Sequence, residues 1–159
     1  MNMKKIALTL LVALSSLAFA QSTEISGKYD KIGKFNYGYA TVHKGGLVGV
    51  INAEGKEIIK PEYERISGFG KDGLAYTRKN GQVGLIDNTG KVIVDNQYSY
   101  IGHFKGNNAI VKKGNLCGVI NKQGKIIVDI KYNKLKVEGN NVIKAINPDG
   151  TEVLIKPNA

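Results

Sequence analysis

Apolar residues in this chain fall in short runs separated by glycine, asparagine or aspartate, and the same succession of three runs returns three times. The first run is Tyr39 to His43, Leu74 to Arg78 or Ala109 to Lys112, and it ends at Gly45-Gly46, Asn80-Gly81 or Gly114-Asn115. Such pairs accept positive φ at both centres, so each predicts a tight type I′ hairpin turn. The second run, Leu47 to Ile51, Val83 to Ile86 or Leu116 to Ile120, leads into Asn52 to Gly55, Asp87 to Gly90 or Asn121 to Gly124. There an Asx side chain can hold the start of a type I turn, with glycine supplying the left-handed residue that follows. The third run is Glu57 to Lys60, Val92 to Val94 or Ile126 to Val128, with turn-like residues between it and the next tyrosine. Three strands joined by short turns form a β-meander, and no stretch after the first 20 residues carries a helical period.

Landmark residues keep one step along the chain. Tyr29, Tyr63, Tyr98 and Tyr132 recur at 34 or 35 residues, and each opens Tyr-x-x-Ile/Leu, with Ile32, Ile66, Ile101 and Leu135. Phe35, Phe69 and Phe104 follow; so do Ala40, Ala75 and Ala109, then Gly49, Gly84 and Gly118. A fixed period of this size marks a repeat architecture. The repeats span 29–62, 63–97 and 98–131, and a shortened fourth copy over 132–159 keeps Tyr132, Leu135 and a hairpin at Asn147 to Gly150. In the second strand Val48, Val50, Val83, Leu85, Cys117 and Val119 share one face, and Gly49, Ile51, Gly84, Ile86, Gly118 and Ile120 the other. Both faces are apolar, which one small sheet cannot cover alone and stacked neighbours can. The glycine in this strand leaves a notch for another backbone or an aromatic ring. The expected fold is all-β, a tandem array of antiparallel three-stranded β-meanders, open and elongated, with an added strand or turn at each Tyr-x-x-Ile; the alternative is a propeller.

The residues Gly38, Ala40, Val42, Gly46, Gly49, Ile51, Asn52, Gly55, Ile58, Ile59, Pro61, Tyr63, Ile66 and Phe69 resemble the bacterial WG repeat, also called the KWG repeat. The later copies follow the pattern closely. The tryptophan that names the family is replaced by Val48, Val83 and Cys117, and Pro61 gives way to Asn96 and Ile130 in the second and third copies. The resemblance implies a β-rich tandem array without catalytic residues or a cofactor.

Residues 1–20 join Lys4 and Lys5 to an apolar run from Ile6 to Ala20 that closes on Ala18-Phe19-Ala20. This is the pattern of a cleavable signal peptide, and the run is too short for a membrane span. The expectation is therefore export to the periplasm or beyond the cell, no membrane insertion after cleavage, and a repeat domain over 21–159. The net charge of +10 falls to +8 when the two leader lysines are removed, so the domain stays basic.

Candidate chemistry is sparse. His43 and His103 stand at different phases of the repeat, neither with a metal-ligand spacing. Cys117, the only cysteine, takes the slot of Val48 and Val83 and reads as a buried, inert thiol. The acids Glu62, Glu64, Asp72 and Asp95 show no paired arrangement for a hydrolase. No catalytic, metal or cofactor residue emerges. What does recur is positive charge: Lys44, then Arg78 and Lys79, then Lys112 and Lys113 flank the hairpin turn, while Lys56, Lys91 and Lys125 follow the Asx turn. Aligned by stacking, these make two basic rows that suit anionic polymers such as glycans, lipopolysaccharide or nucleic acid. Lysines at strand ends also keep β-proteins soluble. The chain therefore reads as a non-catalytic binding or protein-interaction module with an envelope or extracellular protein or glycan as partner, or alternatively as a polyanion binder.

Overall fold

A computed structural model of the chain describes residues 27–138 and 142–156, so the leader-like segment over 1–20 lies outside the described residues. The chain divides into two compact units, one ending at Tyr63 and the other running from Glu64. The first unit holds one sheet of four antiparallel strands in chain order: β1 (Lys31–Ile32), β2 (Tyr39–Lys44), β3 (Leu47–Asn52) and β4 (Glu57–Tyr63). The second unit holds three sheets. The first of these contains β5 (Arg65–Ile66), β6 (Leu74–Lys79), β7 (Gln82–Asp87) and β8 (Val92–Tyr98). The next contains β9 (Tyr100–Ile101), β10 (Asn108–Lys113), β11 (Leu116–Asn121) and β12 (Ile126–Tyr132). The last has three strands, β13 (Lys134–Val137), β14 (Ile143–Ile146) and β15 (Glu152–Ile155).

Each expected three-stranded meander is thus present, and the Tyr-x-x-Ile segment supplies the fourth strand. Arg65 and Ile66 pair with Arg78 and Thr77, and Tyr100 and Ile101 pair with Lys112 and Val111. This strand stops after two residues in the full repeats, where Ser67 or Gly102 begins a loop. In the last repeat it continues to Val137, because Lys136 and Val137 replace the loop-forming residues.

The turn-like residues expected between the third run and the tyrosine are part of the strand. β4 runs through Lys60, Pro61 and Glu62 to Tyr63, and the register jumps: Val50 pairs with Ile59, but Val48 pairs with Tyr63. Three residues therefore oppose the single residue Gly49, a special bulge larger than the usual two against one. The same jump sets Asp95, Asn96 and Gln97 against Gly84, and Asp129, Ile130 and Lys131 against Gly118. Here lies the reason for the repeated glycine. A Cβ on Gly49 would stand 2.5 Å from the Ile59 carbonyl oxygen and 2.7 Å from the Pro61 nitrogen. The notch receives the neighbouring backbone; the aromatic-ring alternative does not apply.

Turn chemistry follows the sequence in two hairpins and departs in the third. Gly45 and Gly46 have φ of 57° and 79°, and Asn80 and Gly81 have 53° and 71°, as a type I′ turn requires. Gly114 has φ of 60°, but Asn115 is not in the positive region, so this turn is type II′. Glycine at the first centre permits it, and the two-residue register is unchanged, with Lys113 opposite Leu116. In the Asx turns, Asn52, Asp87 and Asn121 accept from the amides of Lys56, Lys91 and Lys125 at 2.8, 3.0 and 2.9 Å.

Burial follows the alternation closely. Val50, Ile51, Leu85, Ile86, Val119 and Ile120 are each no more than 1% exposed, so both faces of the second strand are covered, while Val83 is half-buried. Tyr29, Tyr63, Tyr98 and Tyr132 are all buried. The aromatic three residues after Ile32 departs: Phe35 is 52% exposed where Phe69 is 4%. In the second unit one core joins Leu85, Val94 and Tyr98 to Ile101, Ala109, Val111 and Ile120 of the next sheet. Another joins Cys117, Val119, Val128 and Tyr132 to Leu135, Ile143 and Ala145 of the last sheet. Each buried aliphatic side chain contributes about 1.5–3 kcal/mol relative to exposure, and adjacent sheets share that gain.

In the first unit the core of Tyr29, Ala40, Val42 and Ile51 carries one polar fixture. The Tyr29 hydroxyl donates to Glu57 at 2.7 Å, and Lys28 pairs with the same carboxylate at 3.1 Å. The Tyr29 hydrogen bond, helped by Lys28, overcomes partial burial and holds the Glu57 carboxyl below its ordinary range. A depressed folded-state pKa means that this contribution is complete above the unfolded value of about 4.3 and is lost as pH falls through the folded value. Urea titrations of the wild type and Glu57→Gln should therefore differ most near neutrality and converge below about pH 4. A gap that stays constant down to pH 3 would show that the carboxylate is not the stabilising form.

Candidate ligand-binding groove

A concavity built from neighbouring elements lies in the second unit, between the sheet of β9–β12 and the last sheet. It has a volume of about 460 Å³. One wall is formed by Tyr100, by the loop from Gly102 to Lys105, and by Ile110 and Lys112 of β10. The other is the consecutive stretch Lys134 to Val137, which is β13 itself.

The equivalent junction one repeat earlier also carries a concavity, of about 420 Å³, but with a different lining. There Tyr76 occupies the position of Ile110 and donates its hydroxyl to the Gly102 carbonyl at 3.0 Å. Burial, with the Asp72 carboxylate nearby, raises the pKa of that phenol, so it remains a donor. Phe104 packs against the same core. At the last junction Ile110 has no hydroxyl or ring, Lys136 stands where Gly102 does, and Glu138 falls in the phase of Phe104. The earlier concavity is bordered by Tyr76, Phe104 and the paired Asp72 and Lys122, whereas the groove at the shortened repeat is lined by lysines and aliphatic residues.

Its charge is one-sided. Lys105, Lys112, Lys134 and Lys136 line it together with His103, and among the described residues no carboxylate does. Glu138 lies outside this lining and reaches Lys136 at 3.0 Å; both side chains are exposed, at 71% and 40%, where such a pair is worth little. Apolar surface from Ile110, Leu135, Val137 and the half-exposed Tyr100 ring completes the lining. A mostly apolar cleft with a few convergent charges of one sign suits an anionic ligand.

Of the sequence-derived basic positions, only Lys112 enters the groove. In each sheet the hairpin cations and the Asx-turn lysines stand at opposite ends of a six-residue strand such as Leu47–Asn52, roughly 20 Å apart. The two rows are separate surfaces. Lys44, Lys79 and Lys113 immediately precede the hairpin turn. Arg78 donates to the Gly81 carbonyl at 3.1 Å, and Lys113 reaches Gln97 at 3.5 Å. Asp30 accepts from the Gly45 amide at 2.7 Å and Glu64 from the Gly81 amide at 3.3 Å, which places a carboxylate beside the first two hairpins. The third has Ser99 at that phase, bonded to the Lys112 carbonyl at 3.2 Å, so its lysines have no such anion. Lys56, Lys91 and Lys125 are exposed, and the turn uses their main-chain amides.

The remaining candidates are dispersed. His43 is half-buried in β2, and His103 is exposed, set edge-on to Tyr76 with ring centroids 6.0 Å apart. Cys117 is 3% exposed, its Sγ 3.6 Å from the Asn133 carbonyl oxygen, as a small core residue would be. Partial burial works against the Asp72 carboxylate, but Lys122 at 3.0 Å and the Leu74 amide outweigh it and hold its pKa low. That ionised, paired carboxylate is not a poised general acid. Glu64 is engaged at its hairpin, and Glu62 and Asp95 are exposed. Among the described residues no group of three or more His, Cys, Asp or Glu could hold a metal. Lys105, Lys134 and Lys136 were not among the positions selected by phase; the available signals were the cation two residues after the repeat tyrosine, as Lys31, Arg65 and Lys134, and the alternation Lys134, Leu135, Lys136, Val137.

Comparison with solved structures finds low similarity. The crystal structure of the computationally designed Ika4 protein is 16% identical, with 80% of this chain and 89% of that chain covered at a TM-score of 0.39. The structure of Kluyveromyces lactis Hsv2p is 14% identical over 82% of this chain and 51% of that one, at a TM-score of 0.38. No curated protein matches. The description that does match is the WG containing repeat, over residues 24–47, 49–82, 84–117 and 118–145, in step with the recurring sheets, and the chain belongs to that family.

Proposed function

We propose that this chain is an exported, non-catalytic binding module of the cell envelope or extracellular space, and that it takes an anionic partner in the groove between its third and last sheets. The observation carrying this reading is the convergence of Lys105, Lys112, Lys134 and Lys136 on one cleft with no carboxylate among its described lining residues. The repeat family and the dispersed acids support a binding role, and the leader-like start supports export. A second reading, a polyanion binder acting through its hairpin and Asx-turn lysines, draws on their recurrence in three repeats.

One comparison separates them. With the chain from Gln21 onward, affinity for heparin and for poly-glutamate is measured at low and moderate salt. Exposed ion pairs give about 0.2–1 kcal/mol each, so reversing the four groove lysines to glutamate should remove about 2 kcal/mol. That is roughly 30-fold in affinity. Reversal of Lys56, Lys91 and Lys125 should change it less than about threefold if the groove is the site. The opposite ranking would move the function to the rows. Shortening of either probe, followed by mass spectrometry, would overturn the non-catalytic assignment.

A further inference from the structure

The groove has one wall made of four consecutive residues of a single strand, Lys134 to Val137. Side chains alternate between the two faces of a strand, so a cleft touched by all four runs along the strand's edge. β13 is the end strand of its sheet, with β14 on its other side. The direction of its main-chain groups follows from the pairing. Lys134, Lys136 and Glu138 stand opposite Ile146, Lys144 and Val142, and the Glu138 amide donates to the Val142 carbonyl at 2.8 Å. Hydrogen-bonded pairs alternate along an antiparallel ladder, so Lys134 and Lys136 also turn their amides to β14. The amides and carbonyls of Leu135 and Val137 then face the cleft.

We propose that an extended acidic peptide segment of a partner protein docks in this groove as an added strand on β13. This rests on the groove being the binding site. Main-chain bonds to Leu135 and Val137 would supply pairing, as in other strand-addition complexes. Residues of the incoming strand opposite Lys134 and Lys136 come within about 5.5 Å between Cβ atoms, so acids at alternate positions meet an ammonium each. The intervening residues fall on the side of Leu135 and Val137, where apolar groups fit. Lys105 and Lys112 stand on the facing wall and add positive charge across the cleft. The same lysines repel another copy of β13, since like charges would lie directly opposite, so this edge rejects itself and accepts an acidic chain.

Docked antiparallel, a capped peptide of sequence Thr-Thr-Val-Glu-Val-Glu-Thr places valines opposite Val137 and Leu135 and glutamates opposite Lys136 and Lys134. Its twin with both valine nitrogens methylated has the same charge and cannot pair. The methylated twin should bind at least tenfold more weakly. Saturation with the unmethylated peptide should slow amide exchange at Leu135 and Val137 at least tenfold, and at Lys134 and Lys136 far less. Lys134→Glu with Lys136→Glu should weaken the glutamate peptide and favour one carrying lysines instead. Equal affinity for the two twins, or unchanged exchange at Leu135 and Val137, overturns strand addition. Binding of heparin in the groove without measurable peptide binding overturns the peptide and leaves the groove as an anion site. If heparin, poly-glutamate and the peptide all fail to bind, both readings fall.

Discussion

Gly84→Val is expected to destabilise the second unit by about 3 kcal/mol or more, because the new side chain must occupy space held by another main chain. A Cβ at this position would lie 2.6 Å from the Val94 carbonyl oxygen and 3.0 Å from the Asn96 nitrogen. Neither can swing aside as a flexible side chain would. Asn96 is fixed further by its side-chain amide, which donates to the carbonyls of Thr77 at 3.2 Å and Gln82 at 3.0 Å. Pushing the bulge away would break these bonds to β6 and β7. Gly81→Ala is the comparison: a Cβ there meets nothing within 4 Å, but its φ of 71° makes alanine cost about 1–2 kcal/mol. Urea unfolding followed by circular dichroism would rank the two variants, the chain having no tryptophan. A loss at Gly84→Val no greater than at Gly81→Ala would mean that the bulge does not need the glycine.

The same glycine marks where sequence reasoning stops. Strand order, the tyrosine phase and two of the hairpin turns are legible because they depend on local alternation and on the φ preferences of a few residues. The bulge depends on contact between Gly84 and a strand that returns ten residues later, and no short pattern encodes it. Consequently the residues from Asp95 to Gln97 resemble a turn while belonging to a strand. The groove was legible only through Lys112. Lys134 shares its phase with Lys31 and Arg65, but Lys105 and Lys136 occur once each, and the lining departs from that of the preceding junction where Ile110 replaces Tyr76 and Glu138 takes the phase of Phe104. A search for recurring residues selects positions where repeats agree. The candidate site forms where the last one differs.

Leu85→Ala should have the second large effect, and its reach along the array is the informative part. Leu85 is 0% exposed in β7 and packs with Val94 and Tyr98 of its own sheet and with Ile101, Ala109, Val111 and Ile120 of the next. Truncating such a leucine costs about 2–5 kcal/mol, the spread reflecting how far the site can collapse around the cavity. Stability in stacked repeats is the sum of unit terms and neighbour interfaces, and this side chain belongs to an interface. The loss should therefore appear in both sheets. Amide exchange at Val111 and Ile120 should accelerate along with that at Leu85 and Val94, by roughly 100-fold for a loss of about 3 kcal/mol. Val153→Ala, at a residue 40% exposed, should stay within about 0.5 kcal/mol. If acceleration were confined to β5–β8, the sheets would be held by their own hydrogen bonds and the shared core would contribute little to either. If both respond, burial across the junction is what makes these short sheets stable, and the geometry of the lysine-lined groove at the next junction is set by the same packing.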